Sequence, residues 1–222
     1  SQTHSGNTDL FLVKYNSSGI KQWTKMLGSP EPDNVVGMAL DSSGNAYVVG
    51  RTNDDFDGIE AYSAHYGIFL VKYNSSGTKQ WTYLSSNPTR LNPSNDLHIP
   101  TGVDTDSSGN IYVTGYHYSS KDAFLWKFNS SGTRTMTAGV NSSGTAEERG
   151  GGVCVDASDD VFVSGHTEKD LNGNTNSGGF DVFLAKFNSS GSLQWTRTVG
   201  GASWDTASSG INCHTSDNII IT

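Results

Sequence analysis

Basic residues are scarce: 14 Lys and Arg stand against 22 Asp and Glu, for a formal charge of -8 and a pI near 5.0. Nucleic-acid affinity comes largely from clustered Lys and Arg, so a phosphate-binding surface, and nucleic acid as a partner, are excluded from the expectations. No apolar run approaches the roughly 18 residues that a membrane span needs, and no secretory-signal pattern opens the chain, so membrane insertion is not expected. Cysteine is almost absent. Cys154 and Cys213 are too few for a disulfide framework and lack zinc-site spacing. Helical periodicity is also missing, and no HExxH, P-loop, dinucleotide fingerprint or nucleophile with its base and orienting partner occurs. What is plentiful is Gly, 26 of 222 residues, with Ser, Asn, Thr and Asp, the make-up of many short strands joined by tight turns.

Two blocks recur four times in the same order. The first runs Asp9 to Trp23 (DLFLVKYNSSGIKQW), Gly67 to Trp81, Asp122 to Met136 and Asp181 to Trp195. The second begins at Gly37 (GMALDSSGNAYVVG), Gly102, Gly152 and Gly210. Self-similarity at a period of about 55 residues dominates any other reading of the fold. Each period holds four strand-like runs: A (GMALD), B (AYVVG), C (FLVKY) and D (KQWTKM). In the C run Phe11, Val13 and Tyr15 alternate with Leu12 and Lys14, as in a sheet with two unlike faces. The linkers NSSG and DSSGN are hairpin turns by composition, so the strands are expected to be antiparallel neighbours.

These blocks resemble the SBBP-type bacterial β-propeller repeats, and the D-S-S-G-N-x-Y-V stretch more loosely resembles NHL repeats. The resemblance implies an all-β fold: a single propeller over residues 1–222 with four four-stranded antiparallel blades. By similarity to NHL repeats, strand A would be innermost and the Trp-bearing strand D outermost. The chain opens just after a B strand and stops inside one, so strands C and D of residues 9–27 are expected to join strands A and B of 208–222 in one blade. Closure between molecules, and a fragment of a larger propeller, are the rival readings. The resemblance also implies an extracellular or cell-surface location in a bacterium.

Several residues invite a functional reading. Trp23, Trp81 and Trp195, with Met136 at the same repeat position, are expected to serve blade packing. Gly37, Gly102, Gly152 and Gly210 lie where inner strands converge and a side chain would crowd. Asn16, Asn74, Asn129, Asn141 and Asn188 match the glycosylation pattern, but turn geometry explains the NSSG copies. Asp104 to Asn110 carries the alternating oxygens of a calcium loop without its closing acid, so calcium is the one metal raised and no cofactor is otherwise expected. Asp33, Asp96, Glu148 and Asp205 precede the inner strands as a possible cation collar or as caps of loop amides. Cys154 and Cys213 differ by one register position and are expected as two free thiols. His214, in place of a turn Asp, reads as a tolerated substitution.

The A-to-B and C-to-D turns barely vary, whereas the B-to-C and D-to-A connections differ in length and composition. One face therefore carries the variation, and loops on a rigid scaffold are where binding residues sit. Candidate ligand-binding residues there are Tyr62, His65, Tyr66, Tyr116, His117, Tyr118, Arg149, Trp204 and Asp205, beside Phe56, His98, His166, Arg90, Glu147 and Asp54, Asp55 and Asp57. The expected function is a non-catalytic binding or scaffolding module that engages a glycan or protein. The alternatives are a self-assembling structural protein joined by its terminal half-blades, and a polysaccharide-active lyase or hydrolase using pairs drawn from Asp54, Asp55, Asp57, Glu60, Glu147, Glu148 and Asp205.

Overall fold

The structure is a computed structural model and describes residues 6, 8–61, 66–85, 97–142, 146–207, 210–213 and 218–222. All its regular elements are strands, and among the described residues there is no helix, hence none long and apolar enough to cross a membrane. The chain divides into two compact units, Ser1–Leu97 and His98–Thr222.

The first unit holds β1 (Leu10–Tyr15) and β2 (Lys21–Leu27), paired with each other, and the meander β3 (Asn34–Leu40), β4 (Ala46–Thr52), β5 (Gly67–Tyr73) and β6 (Lys79–Leu84) in the order β3-β4-β5-β6. The second unit holds two such meanders. One is β7 (His98–Thr105), β8 (Ile111–His117), β9 (Ala123–Phe128) and β10 (Arg134–Val140), and the other is β11 (Glu148–Val155), β12 (Val161–Thr167), β13 (Asp181–Phe187) and β14 (Leu193–Val199). A last pair, β15 (Ile211–Cys213) with β16 (Ile219–Ile221), ends the chain. All these pairings are antiparallel, as the hairpin linkers require. Among the described residues β1 pairs with β2 alone, and β15 with β16 alone.

The turns follow their composition. In the DSSGN turn Asp41 accepts the Ser43 and Asn45 amides, the Asn45 side chain and the Tyr47 hydroxyl, and Asp106 repeats this with Ser108, Asn110 and Tyr112. The NSSG turns use Asn16, Asn74, Asn129 and Asn188 likewise, each side-chain oxygen accepting two backbone amides. Gly19, Gly77, Gly132 and Gly191 all adopt positive φ, 74 to 83°, which glycine alone takes without strain.

A feature invisible in the repeat alignment recurs in each C-D hairpin. Trp23 pairs with Lys14 while Lys21 pairs with Tyr15, so Gln22 is an extra, bulged residue; Gln80, Thr135 and Gln194 are its equivalents. Bulges re-aim the neighbouring side chain. Trp23 is thereby laid against the next sheet's turn, its indole N–H donating to the Ser75 carbonyl at 3.3 Å, and Lys14 reaches the same carbonyl at 2.9 Å. In the second unit Lys127 donates to Ser189 O at 3.0 Å in the same way, and Met136 lies over Gly191. Trp81 and Trp195 pack on Tyr47 and Phe162 of their own sheets. Trp23 and Met136 thus make the contact between sheets expected of that repeat position, whereas the ring contacts of Trp81 and Trp195 lie within their own sheets.

Within the second unit, strands A of successive sheets approach one another. In the second unit β11 packs on β7, β8 and β9, and β15 packs on β11 and β12. A Cβ on Gly102 would lie 3.1 Å from Val153 N and 3.2 Å from Gly152 Cα, so the crowding anticipated for the inner glycines is real there.

The expectation of two free thiols is overturned: Cys154 and Cys213 form a disulfide, with their Cα atoms 5.6 Å apart. The alternation argument holds within one sheet, where neighbouring positions face opposite ways. Cys154 is on β11 and Cys213 on β15, and stacked sheets meet front to back. A bridge between them therefore requires residues of opposite parity, and the one-position offset supplies it.

Candidate functional site

In every meander the B-C and D-A connections leave the same end of the sheet, because the strands alternate in direction. The first unit places Tyr66 there, half-exposed, with the Arg51 guanidinium 5.5 Å from its ring centre. Phe56 leaves the surface altogether: it is fully buried and stacks on Phe69 at 4.4 Å. It belongs to a hairpin closed by Phe56 and Ile59 with Asp57 and Gly58 at φ 56° and 73°. Leu171 to Asn174 repeat this hairpin in the second unit, with Asn172 and Gly173 at 50° and 83°. Two positive φ values in a two-residue loop identify a type I′ turn, for which Asp-Gly and Asn-Gly are favoured. Two of the connections read as variable thus share a rigid core. The signal was present as Asp55-Phe56-Asp57-Gly58 and Asp170-Leu171-Asn172-Gly173, hidden by unlike flanking residues.

The second unit gathers the larger set. Arg149 of β11 and His166 of β12 are register partners one step from the loop end of the sheet, and Tyr116 has the equivalent place in β8. Strand alternation separates Arg149 from its neighbour Glu148, which is buried on the other side and accepts the Thr167 hydroxyl at 3.3 Å. The Arg149 guanidinium lies 5.2 Å from the Tyr116 ring centre and pairs with Glu147 at 2.8 Å. His166 meets Phe180 edge to face at 5.0 Å, and Phe180 meets Trp204 at 5.0 Å and 85°. Burial, then the Arg149 charge, hold His166 below its ordinary value, so it is neutral at pH 7. The result is a continuous strip: Tyr116, Arg149, His166, Phe180 and Trp204.

Backbone bonds hold the Trp204 end. Gly179 N–H donates to Ser203 O at 3.0 Å, Asp205 N–H donates to Phe180 O at 2.7 Å, and Asp205 Oδ2 accepts the Gly201 amide at 2.7 Å. Asp33 repeats that arrangement in the first unit, bonding Thr8 O through its amide and accepting the Ser29 amide and hydroxyl, while burial pushes its carboxyl up. The Glu148 amide likewise reaches Lys121 O. Three of the four acidic residues before strand A, Asp33, Glu148 and Asp205, are thus latches between successive sheets, with Asp33 and Asp205 also capping loop amides.

The remaining candidates are dispersed. His117 is directed to the other side of β8 from Tyr116 and lies 4.4 Å from His98. Tyr118 is exposed, with Lys121 Nζ 4.4 Å from its ring centre. Tyr62, His65, Arg90, Asp96 and His214 lie outside the described residues. Among the described residues no three or more His, Cys, Asp or Glu side chains gather as metal ligands. In the candidate calcium loop Asp104 accepts the Thr105 and Val155 amides, and Asp106 serves its own turn. Phe180 was missed in the sequence, where it reads as the start of the strand FDVF.

The SBBP β-propeller repeat family matches residues 22–57 and 80–116, so the chain carries repeats of that family. An uncharacterized WD repeat-containing protein of Acanthamoeba polyphaga mimivirus is 29% identical over 156 residues, 63% of this chain and 10% of that protein. The regulatory protein FlaEY of Caulobacter vibrioides is 37% identical over 54 residues, 24% of this chain and 6% of that protein. The chain therefore matches only a small part of the length of either relative. A crystal structure of a protein of unknown function from Bacteroides caccae has a TM-score of 0.52 at 10% identity, covering 97% of this chain and 65% of that one, a likeness of fold alone.

Proposed function

We propose that this chain is a non-catalytic binding or scaffolding module of a secreted or surface bacterial protein, with its ligand docked on the loop end of the second unit. The strip from Tyr116 through Arg149, His166 and Phe180 to Trp204 carries this reading. Trp, Tyr and Arg are the side chains that concentrate binding energy in interfaces, and here rigid strands and latched loops hold them in advance. The test is an array of glycans and secreted bacterial proteins probed with the chain and its Arg149→Ala and Trp204→Ala variants. Binding weakened by both substitutions is expected; signals unchanged in either variant overturn the assignment of this face.

The same proposal includes a ring of four blades, the last made of β1-β2 and β15-β16. The first unit exposes Met38 and Leu40 on β3 and Phe11 on β1, and the second exposes Ile220 on β16. Closure would cover these apolar groups and supply partners for two strand edges. Closure within one molecule predicts a monomer by mass in solution. The second reading, assembly between molecules, uses the same surfaces and predicts concentration-dependent polymers abolished by deleting 219–222.

A further inference from the structure

We infer that Trp204 is a stacking platform for a neutral sugar ring, so that the ligand of the loop face is an uncharged glycan; this rests on the reading of that face as a binding surface. Trp204 is 75% exposed, yet it is not loosely tethered. Its loop is bonded to the 168–180 connection on both sides of the indole, through Ser203 O and the Asp205 amide. The ring also stands at 85° to Phe180 and rests on Gly179, where a Cβ would come within 2.7 Å of the indole nitrogen. Only glycine leaves room for the indole in this position.

An apolar ring held rigid in water is a pre-organised contact surface, and its surroundings select the occupant. Within three residues of Gly179 and Trp204 the exposed residues are Ser177, Gly178, Gly201, Ala202, Ser203 and Thr206, which supply hydroxyl and backbone polar groups but no large apolar side chain. A protein hot spot is normally ringed by further packing surface that excludes water. A pyranose needs less: one aromatic face for its C–H groups, and hydrogen-bonding groups around the edge for its hydroxyls. Charge is balanced along the strip. Arg149 is paired with Glu147, Asp205 caps Gly201, and His166 is neutral. A carboxylated or sulfated ligand would find no uncommitted cation in the strip, whereas a neutral one loses nothing.

The test is titration of the whole chain with neutral hexaoses of glucose, mannose, galactose and N-acetylglucosamine, followed by tryptophan fluorescence and calorimetry. At least one series is expected to bind and shift the emission. Trp204→Ala should weaken binding tenfold or more, Trp204→Phe should restore part of it, and Tyr15→Ala, an exposed aromatic beside a C-D turn, should leave it unchanged. Gly179→Ala, which displaces the indole without removing it, should weaken binding with Trp204 still present. Thermal melts of Trp204→Ala should match the parent, because the side chain is exposed. Absence of binding by all four series, equal binding by Trp204→Ala, or binding only of acidic oligosaccharides would overturn the sugar platform. A secreted protein that binds the parent and is lost with Trp204→Ala and Arg149→Ala would also overturn it, while leaving the loop face as the binding surface.

Discussion

Asp159 grips Ser107 with both carboxylate oxygens: the Ser107 amide donates to Oδ1 at 2.8 Å and its hydroxyl to Oδ2 at 2.7 Å. The two residues belong to the A-B turns of successive sheets in the second unit. Asp159 occupies the turn position that is Gly44 and Gly109 in the other copies, and it shares their positive φ, 62° against 73° and 76°. Left-handed backbone strains a non-glycine residue. The paired hydrogen bonds to Ser107 offset that strain, and they hold the Asp159 carboxyl below its ordinary value.

Strain and bridge can be separated by two substitutions at this position. Asp159→Gly loses the bridge and relieves the backbone, whereas Asp159→Ala loses the bridge and keeps the strain. The alanine variant should therefore be the less stable of the two by about 1 kcal/mol in chemical denaturation. Equal stabilities would mean that the turn relaxes away from positive φ.

Reduction of Cys154–Cys213 should lower stability substantially. The bridge closes a loop with a sequence separation of 59, which the chain-entropy treatment values at about 4 kcal/mol. Strands β15 and β16 have three residues each, too short to persist as an isolated hairpin. Limited proteolysis after reduction, or of Cys154→Ser, should cut first within 210–222; unchanged cleavage would show that packing on β11 suffices.

Gly77 and Gly19 occupy equivalent turns at φ 78° and 74°, yet their surroundings differ. A Cβ at Gly77 would meet the Trp23 ring at 2.8 Å, whereas one at Gly19 would meet nothing within 4 Å. Gly19→Ala should cost about 1 kcal/mol from backbone strain alone. Gly77→Ala should cost a further 1–3 kcal/mol or so through overpacking, with a change in Trp23 emission. Equal costs would place Trp23 away from that turn.

His166 makes stability depend on acidity. Its folded value lies below the ordinary 6.5 because burial and then Arg149 disfavour the imidazolium. Below pH 6.5 the unfolded chain takes up a proton that the folded chain resists, so stability falls as pH drops from 6.5 toward the folded value. Melting curves between about pH 5 and 8 should show this decline, and His166→Gln should flatten it. A slope unchanged in the variant would assign the effect to other groups.

Much of this architecture was legible because hairpins are local. Asp41 and Asn16 cap amides two and four residues away, so DSSGN and NSSG specify their turns without help from the rest of the chain. The alternation in FLVKY announced strands, and the repeat announced antiparallel meanders. The bulges at Gln22, Gln80, Thr135 and Gln194 were not legible, since an extra residue shows only against its partner strand. The latches from Asp33, Glu148 and Asp205 show in the sequence only as an acidic theme, because their hydrogen-bond partners belong to the preceding sheet.

The sequence by itself determined the turns, the strands and their antiparallel order, because each depends on residues close along the chain. Only the tertiary structure decided what depends on one sheet meeting the next: that Cys154 finds Cys213, that Arg149 lies against Tyr116, and that Met136 lies over Gly191. Parity along a strand says which residues share a face. Which face meets which neighbour follows from how the sheets stack, and that is a property of distant segments.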